Sequence, residues 1–304
     1  VRASYGSFNE INLYGAASVS QNLWVTGRIS AYTNTRDGYI DNVFTGAPQS
    51  EIRERDEFGM RGKLRFDWGD AGDLLLSGDY QSRDQASGAL TYRAVSLGGP
   101  GTGLLGFGVP VSGPVSQSLG ITPGPDNLDV GAEGVFTNEM DSWGVSAEYN
   151  RAVGQFDLVS LTAYREWNSD DNNDADLIPQ PFLEINSGAL SQEQFSQEFR
   201  LVSPRDRQLT YTLGAYFFSQ EMTQTNTQFG TAGLDLLGAL PPGLRLGTDL
   251  DSSFEETNVA LFGQGEYALT DKLSLIAGAR VLYSDVEGDQ LKTVTPGAVG
   301  PFAG

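Results

Sequence analysis

Segments in which apolar and polar residues alternate at every second position recur along this chain, and the connections between them alternate as well. A turn of a few residues is followed by a stretch of roughly twenty to fifty, then by a short turn again. The clearest segment is 58–68. Phe58, Met60, Gly62, Leu64, Phe66 and Trp68 take one face, and Gly59, Arg61, Lys63, Arg65 and Asp67 the other. Helical spacing would scatter these side chains around an axis, whereas a strand sorts them into one apolar and one charged face. After the turn 69–73, Leu74, Leu76, Gly78 and Tyr80 alternate with Leu75, Ser77, Asp79 and Gln81, which completes a hairpin.

The same unit recurs as 11–19 with 23–31, 143–149 with 156–167, 195–202 with 209–218, and 259–269 with 273–283. With a short opening strand at 1–5, the pattern predicts about eleven strands. Between the hairpins lie 33–57, 82–141, 168–194, 221–256 and a tail from Ser284, all rich in Gly, Pro, Asp, Asn, Ser and Thr, which favour irregular backbone. The stretch 97–125 reads as an extended loop holding a small internal hairpin. Short connections at one end of a sheet and long ones at the other are what an up-and-down barrel spanning a bacterial outer membrane requires. The predicted fold class is therefore all-β: an antiparallel transmembrane β-barrel segment.

Composition narrows the function. No stretch reaches the roughly 18 consecutive apolar residues of a membrane-spanning helix, but a spanning strand needs only about 9–11, half of them apolar. A formal charge of −20, from 39 acidic and 19 basic residues, argues against nucleic acid as a partner. Cysteine and histidine are both absent. Their absence removes thiol and Ser-His-Asp catalysis, histidine-ligated haem and nearly every zinc site. No carboxylate pair is singled out by spacing, so no catalytic residue, enzyme activity or cofactor is expected.

A soluble lipocalin-type barrel also alternates, with its apolar face inward, so alternation alone does not show which face meets lipid. Two features favour the membrane. Phe58, Trp68, Tyr80, Trp143, Tyr149, Tyr267 and Tyr283, with Phe156, sit near strand ends, as interfacial aromatic girdles do. Opposite them, Arg61, Lys63, Arg65, Asp79, Glu148, Glu198, Arg200 and Arg280 are candidates to face a wet lumen, since so many charges are costly inside a sealed core.

Two motifs invite chemistry. Gly101, Gly103 and Gly106 match the dinucleotide fingerprint, but Pro100 precedes them and Pro110 follows, so no helix can start there to receive a pyrophosphate. Asp170, Asn172, Asp174 and Asp176 resemble the opening of a Ca²⁺ loop. The sixth position is Ala175 rather than Gly and the twelfth is Pro181 rather than Glu, so a solvated acidic loop is the expectation and Ca²⁺ only a weak candidate.

Taken with their order and spacing, several runs resemble the barrel of TonB-dependent outer-membrane receptors. They are Arg2 to Glu10, Arg36 to Asn42, Gln197 to Pro204, Leu261 to Gln264, Leu269 to Leu275 and Gly278 to Arg280. The resemblance implies a 22-stranded barrel behind a globular plug and a coupling box, in the outer membrane of a Gram-negative bacterium. It also implies active uptake of siderophore-bound iron, cobalamin or a saccharide. The partners so implied are outer-membrane lipid, a small-molecule or metal-chelate substrate, and the TonB complex, engaged through a missing N-terminal region. Residues 1–304 then read as one barrel fragment, the N-terminal half of the wall, without plug or later strands; Val1 and Pro301–Gly304 both read as cuts in a longer chain. A passive porin and a secreted β-sandwich or adhesin binding module are the alternatives.

Overall fold

The computed structural model describes residues 1–21, 24–86, 90–95, 112–174, 176–234, 239, 241–270 and 272–301. The Gly101–Gly106 fingerprint lies outside them. Eleven strands form one open antiparallel sheet: β1 (Arg2–Tyr5), β2 (Ile11–Gln21), β3 (Val25–Arg36), β6 (Arg55–Asp67), β7 (Gly72–Gln85), β9 (Thr137–Val153), β10 (Phe156–Asn172), β11 (Ile185–Val202), β12 (Leu209–Gly230), β13 (Leu246–Thr270) and β14 (Leu273–Val294). They pair in chain order, and β1 and β14 each have one neighbour in the sheet, so the wall does not close on itself. The remaining strands, β4 (Ile40–Asn42), β5 (Glu51–Ile52) and β8 (Asp129–Val130), make a small separate sheet in the order β5-β4-β8.

The strands run well past the ends that alternation predicts. β12 continues from Phe218 to Gly230 through a Thr- and Gln-rich stretch, and β14 passes Ser284 to reach Val294. Alternation fades there because both faces are polar, while backbone pairing with the neighbouring strands carries the ladder onward.

One cross-strand row marks where this change occurs. Glu166, Glu193, Glu221, Glu255 and Glu287 stand directly opposite one another across β10 to β14, on the face that carries Phe195, Phe217, Val259 and Tyr283. A second outer row, Asp56, Asp84, Glu139 and Asp170, crosses β6 to β10. Such rows are untenable in hydrocarbon. Below the glutamates the stretches 156–165, 194–202 and 209–219 have about the 9–11 residues a tilted strand needs to cross a bilayer. Above the row the same face is mostly polar, with Ser191, Thr223, Ser253 and Asp289 next along their strands.

The main buried apolar cluster among the described residues lies in the loops. Ile40, Ile52, Ala86, Val130, Ala132 and Phe136 pack together around the small sheet, capping the long-loop end. Two side-chain amides finish the cap by imitating backbone. Asn42 donates to the Ala132 carbonyl (2.9 Å) and accepts its N–H (3.1 Å); Gln49 does the same with Phe136 (2.9 and 2.7 Å). The expected irregular loops 33–57 and 82–141 thus contain ordered structure, including a short helix α1 (Ser112–Ser118) within the predicted loop 97–125.

Candidate functional site

Register sets the eight predicted lumen residues on one face of the sheet. Arg61 stands opposite Ser30 and Asp79, Lys63 opposite Arg28 and Ser77, and Arg65 opposite Thr26 and Leu75. Glu148, Glu198, Arg200 and Arg280 continue on that face across β9 to β14. The predicted aromatics on strands take the other face. Phe58, Tyr80, Trp143 and Tyr283 lie toward the long-loop end, and Tyr149 and Tyr267 toward the short turns. The Phe58 and Tyr80 rings are 6.4 Å apart, as are those of Tyr149 and Trp68, which sits in the turn after β6.

On this face several of the charges pair. Asp79 does not pair with Arg61, its register neighbour; its carboxylate takes Arg165, on β10, at 2.7 Å. That reach passes over Gly144 of β9, where an added Cβ would lie 2.8 Å from the guanidinium. Arg165 also donates to Ser142 Oγ at 3.1 Å. Sequence reasoning misses Arg165 because the signal, an inward glycine between two opposite charges on non-adjacent strands, exists only once register is known. Arg65 meets Asp73 at 3.3 Å and Asp67 at 3.5 Å, and Arg200 pairs with Glu198. Asn150 donates to Glu148 at 3.1 Å.

On the later strands the same face turns aromatic. The Arg280 guanidinium lies 5.5 Å from the Tyr216 ring centre and 5.7 Å from that of Phe262, and Phe262 itself fills the space above Gly214. A recess of about 680 Å³ opens beside Phe262 toward the short-turn end, edged by Arg200, Arg205 and Arg207.

The acidic run at the end of β10 is not the solvated loop expected. Asp174 is buried, with its oxygens taken by the Leu177 (2.8 Å) and Gly134 (2.9 Å) amides; those of Asp176 accept from Ile178 (3.0 Å) and Leu183 (2.9 Å). Asp170 and Asn172 belong to β10 itself. Among the described residues, no group of three or more acidic side chains is placed to hold a metal ion. These carboxylates instead tie loops together. Tyr92 donates to the Leu177 carbonyl, and Arg245 forms a forked pair with Glu184. Burial, then the facing Asp174 charge, pushes Asp176 up to about 7. Burial likewise raises Glu133 and Tyr92 above their ordinary values.

Comparison with known proteins follows the same lines. The family described as "TonB dependent receptor-like, beta-barrel" matches residues 68–303. Among solved structures, the ferric yersiniabactin uptake receptor FyuA from Yersinia pestis aligns with 96% of this chain and 39% of its own, at 11% identity and a TM-score of 0.66. The ferripyoverdine receptor of the outer membrane of Pseudomonas aeruginosa aligns with 97% of this chain and 38% of its own, at 15% identity and a TM-score of 0.59. The chain therefore spans less than half the length of these structures, and at such identities the likeness is one of fold. None of the curated proteins matches it.

Proposed function

The chain belongs to the β-barrel family of TonB-dependent receptors, a family of outer-membrane transport proteins of Gram-negative bacteria, and on that premise we propose that it forms part of the wall and mouth of a receptor that imports an iron chelate. The observation that carries this reading is the wall that continues above the glutamate row into a structured cap, with a charged and aromatic inner face beneath it. A simple pore needs no such mouth; a receptor that must hold a scarce ligand does. Arg61, Lys63, Arg65, Asp79, Glu148, Glu198, Arg200 and Arg280 line the substrate route, and the strand-end aromatics seat the wall in lipid. The remaining strands, the plug and the contact with the TonB complex belong to the rest of the receptor. Support for an iron-chelate substrate comes from structural neighbours that are themselves receptors for ferric yersiniabactin and ferripyoverdine.

The test is uptake of radiolabelled iron chelates by cells expressing the full-length receptor, with and without functional TonB. Accumulation that disappears without TonB is the expected result. Uptake that persists without TonB and rises linearly with concentration would replace this reading with a passive porin.

A further inference from the structure

Among the described residues, Arg151 is the only basic side chain that register places on the outer face of β6, β7, β9 and β10. It lies near the short-turn end of β9, is exposed, and its side chain takes part in no hydrogen bond or ion pair among the described residues. Tyr149 stands two residues away on the same face, with the Trp68 ring edge-on to it at 6.4 Å. A guanidinium at the level of interfacial aromatic rings is suited to grip a phosphate through two parallel hydrogen bonds.

Farther along the same face is an apolar hollow of about 580 Å³. It exists because Gly62 and Gly78 stand directly opposite one another, so two adjoining outward positions carry no side chain. Met60, Leu64, Leu76 and Val145 surround it, and Tyr80 and Trp143 wall it toward the long loops. Trp143 is held there by its Nε1 bond to Glu166 at 3.1 Å and by the Tyr164 ring at 5.2 Å. From Val145 to Arg151 the strand runs about 20 Å. At the usual barrel tilt of about 40° this is a depth of about 15 Å, one leaflet of a roughly 30 Å hydrocarbon core.

Charge selects the leaflet. Beyond Tyr80 and Trp143 the same face carries Asp84, Glu139 and Asp141, which repel a phosphate on the long-loop side. Arg151 attracts one on the side of the short turns, which face the periplasm. We propose that Arg151 and the hollow over Gly62 and Gly78 form a site for one inner-leaflet phospholipid, with its phosphate on the arginine and the end of one acyl chain in the hollow. The site goes beyond the uptake reading and needs only that the wall stands in an outer membrane.

The test is native mass spectrometry of the full-length receptor in detergent, titrated with dipalmitoyl phosphatidylglycerol. The wild type should retain one tightly held equivalent. Arg151→Gln should weaken it about tenfold, the loss of a charge-assisted hydrogen bond. Gly62→Leu should weaken it at least about threefold, the loss of several carbon contacts to the chain end. A Cβ at Gly62 meets open space, so the strand accepts this substitution. Dihexanoyl phosphatidylglycerol, with the same headgroup and chains too short for the hollow, should bind the wild type and Gly62→Leu alike. The proposal is overturned if lipid is retained only as a broad, non-stoichiometric distribution, if either substitution leaves dipalmitoyl binding unchanged, or if Gly62→Leu weakens the short-chain lipid equally. Retention of lipid A that is lost in Gly62→Leu and kept in Arg151→Gln would overturn it in favour of an outer-leaflet occupant.

Discussion

Replacing Phe136 with alanine tests whether the cap is a folding unit distinct from the wall. Phe136 has no exposed surface and sits at the centre of the loop core with Ile52 and Val130, which are equally buried. Truncating a fully buried phenylalanine costs about 3–5 kcal/mol, the transfer of the ring plus the cavity it leaves. The cap joins the wall mainly through chain continuity, so this cost should appear as local opening rather than global unfolding. At about 1.4 kcal/mol per factor of ten, the opening equilibrium rises on the order of a hundred- to a few-thousand-fold. Hydrogen exchange of the full-length receptor in detergent reads this directly. The amides of Tyr39, Asn42 and Val43, bonded to Ile52, Ser50 and Val130, should lose protection by that factor. Amides in the paired stretch 209–219 of β12 should keep theirs. Equal loss in wall and cap, or no loss in the cap, would refute the idea that the mouth carries its own core.

Two further perturbations probe the charges. Asp176 is raised to about 7, so its share of cap stability is complete below the ordinary aspartate value and is lost as pH rises through 7. Burial raises Glu133 in the same sense, and it moves Tyr92 further up from its ordinary value, away from that window. Cap amides, corrected for intrinsic exchange, should therefore lose protection between about pH 4 and pH 7, and Asp176→Asn should flatten the profile. Gly144→Ala should displace Arg165 from Asp79. Because both side chains are partly exposed, a double-mutant cycle with Asp79→Asn should give a coupling of no more than about 1 kcal/mol in the parent and none once alanine is present.

The wall was legible in the sequence and the mouth was not, for one reason. Alternation reports a surface with lipid on one side and water on the other. It therefore ended near Trp167, Phe218 and Tyr283, close to where the outer glutamates begin, while the strands themselves continued. The residues that build the cap left no periodic trace. Asn42 and Gln49 act as surrogate backbone, and Asp174 and Asp176 as ties between loops, roles set by partners up to ninety residues away in the chain. The run 170–176 reads from sequence as a solvated acidic loop because sequence shows the carboxylates and hides the amides that occupy Asp174 and Asp176. Arg165 escaped notice for a related reason: its partner Asp79 lies two strands away, across a glycine.

The row Glu166, Glu193, Glu221, Glu255 and Glu287 has a mechanical consequence. Because each of the five carboxylates sits at the outer end of its own strand's apolar stretch, a downward slip of the wall would bring them toward the acyl chains, at a cost that grows with depth. An upward slip would lift Phe195, Phe217 and Val259 into water instead. The wall thus floats at a defined height with a restoring force in both directions.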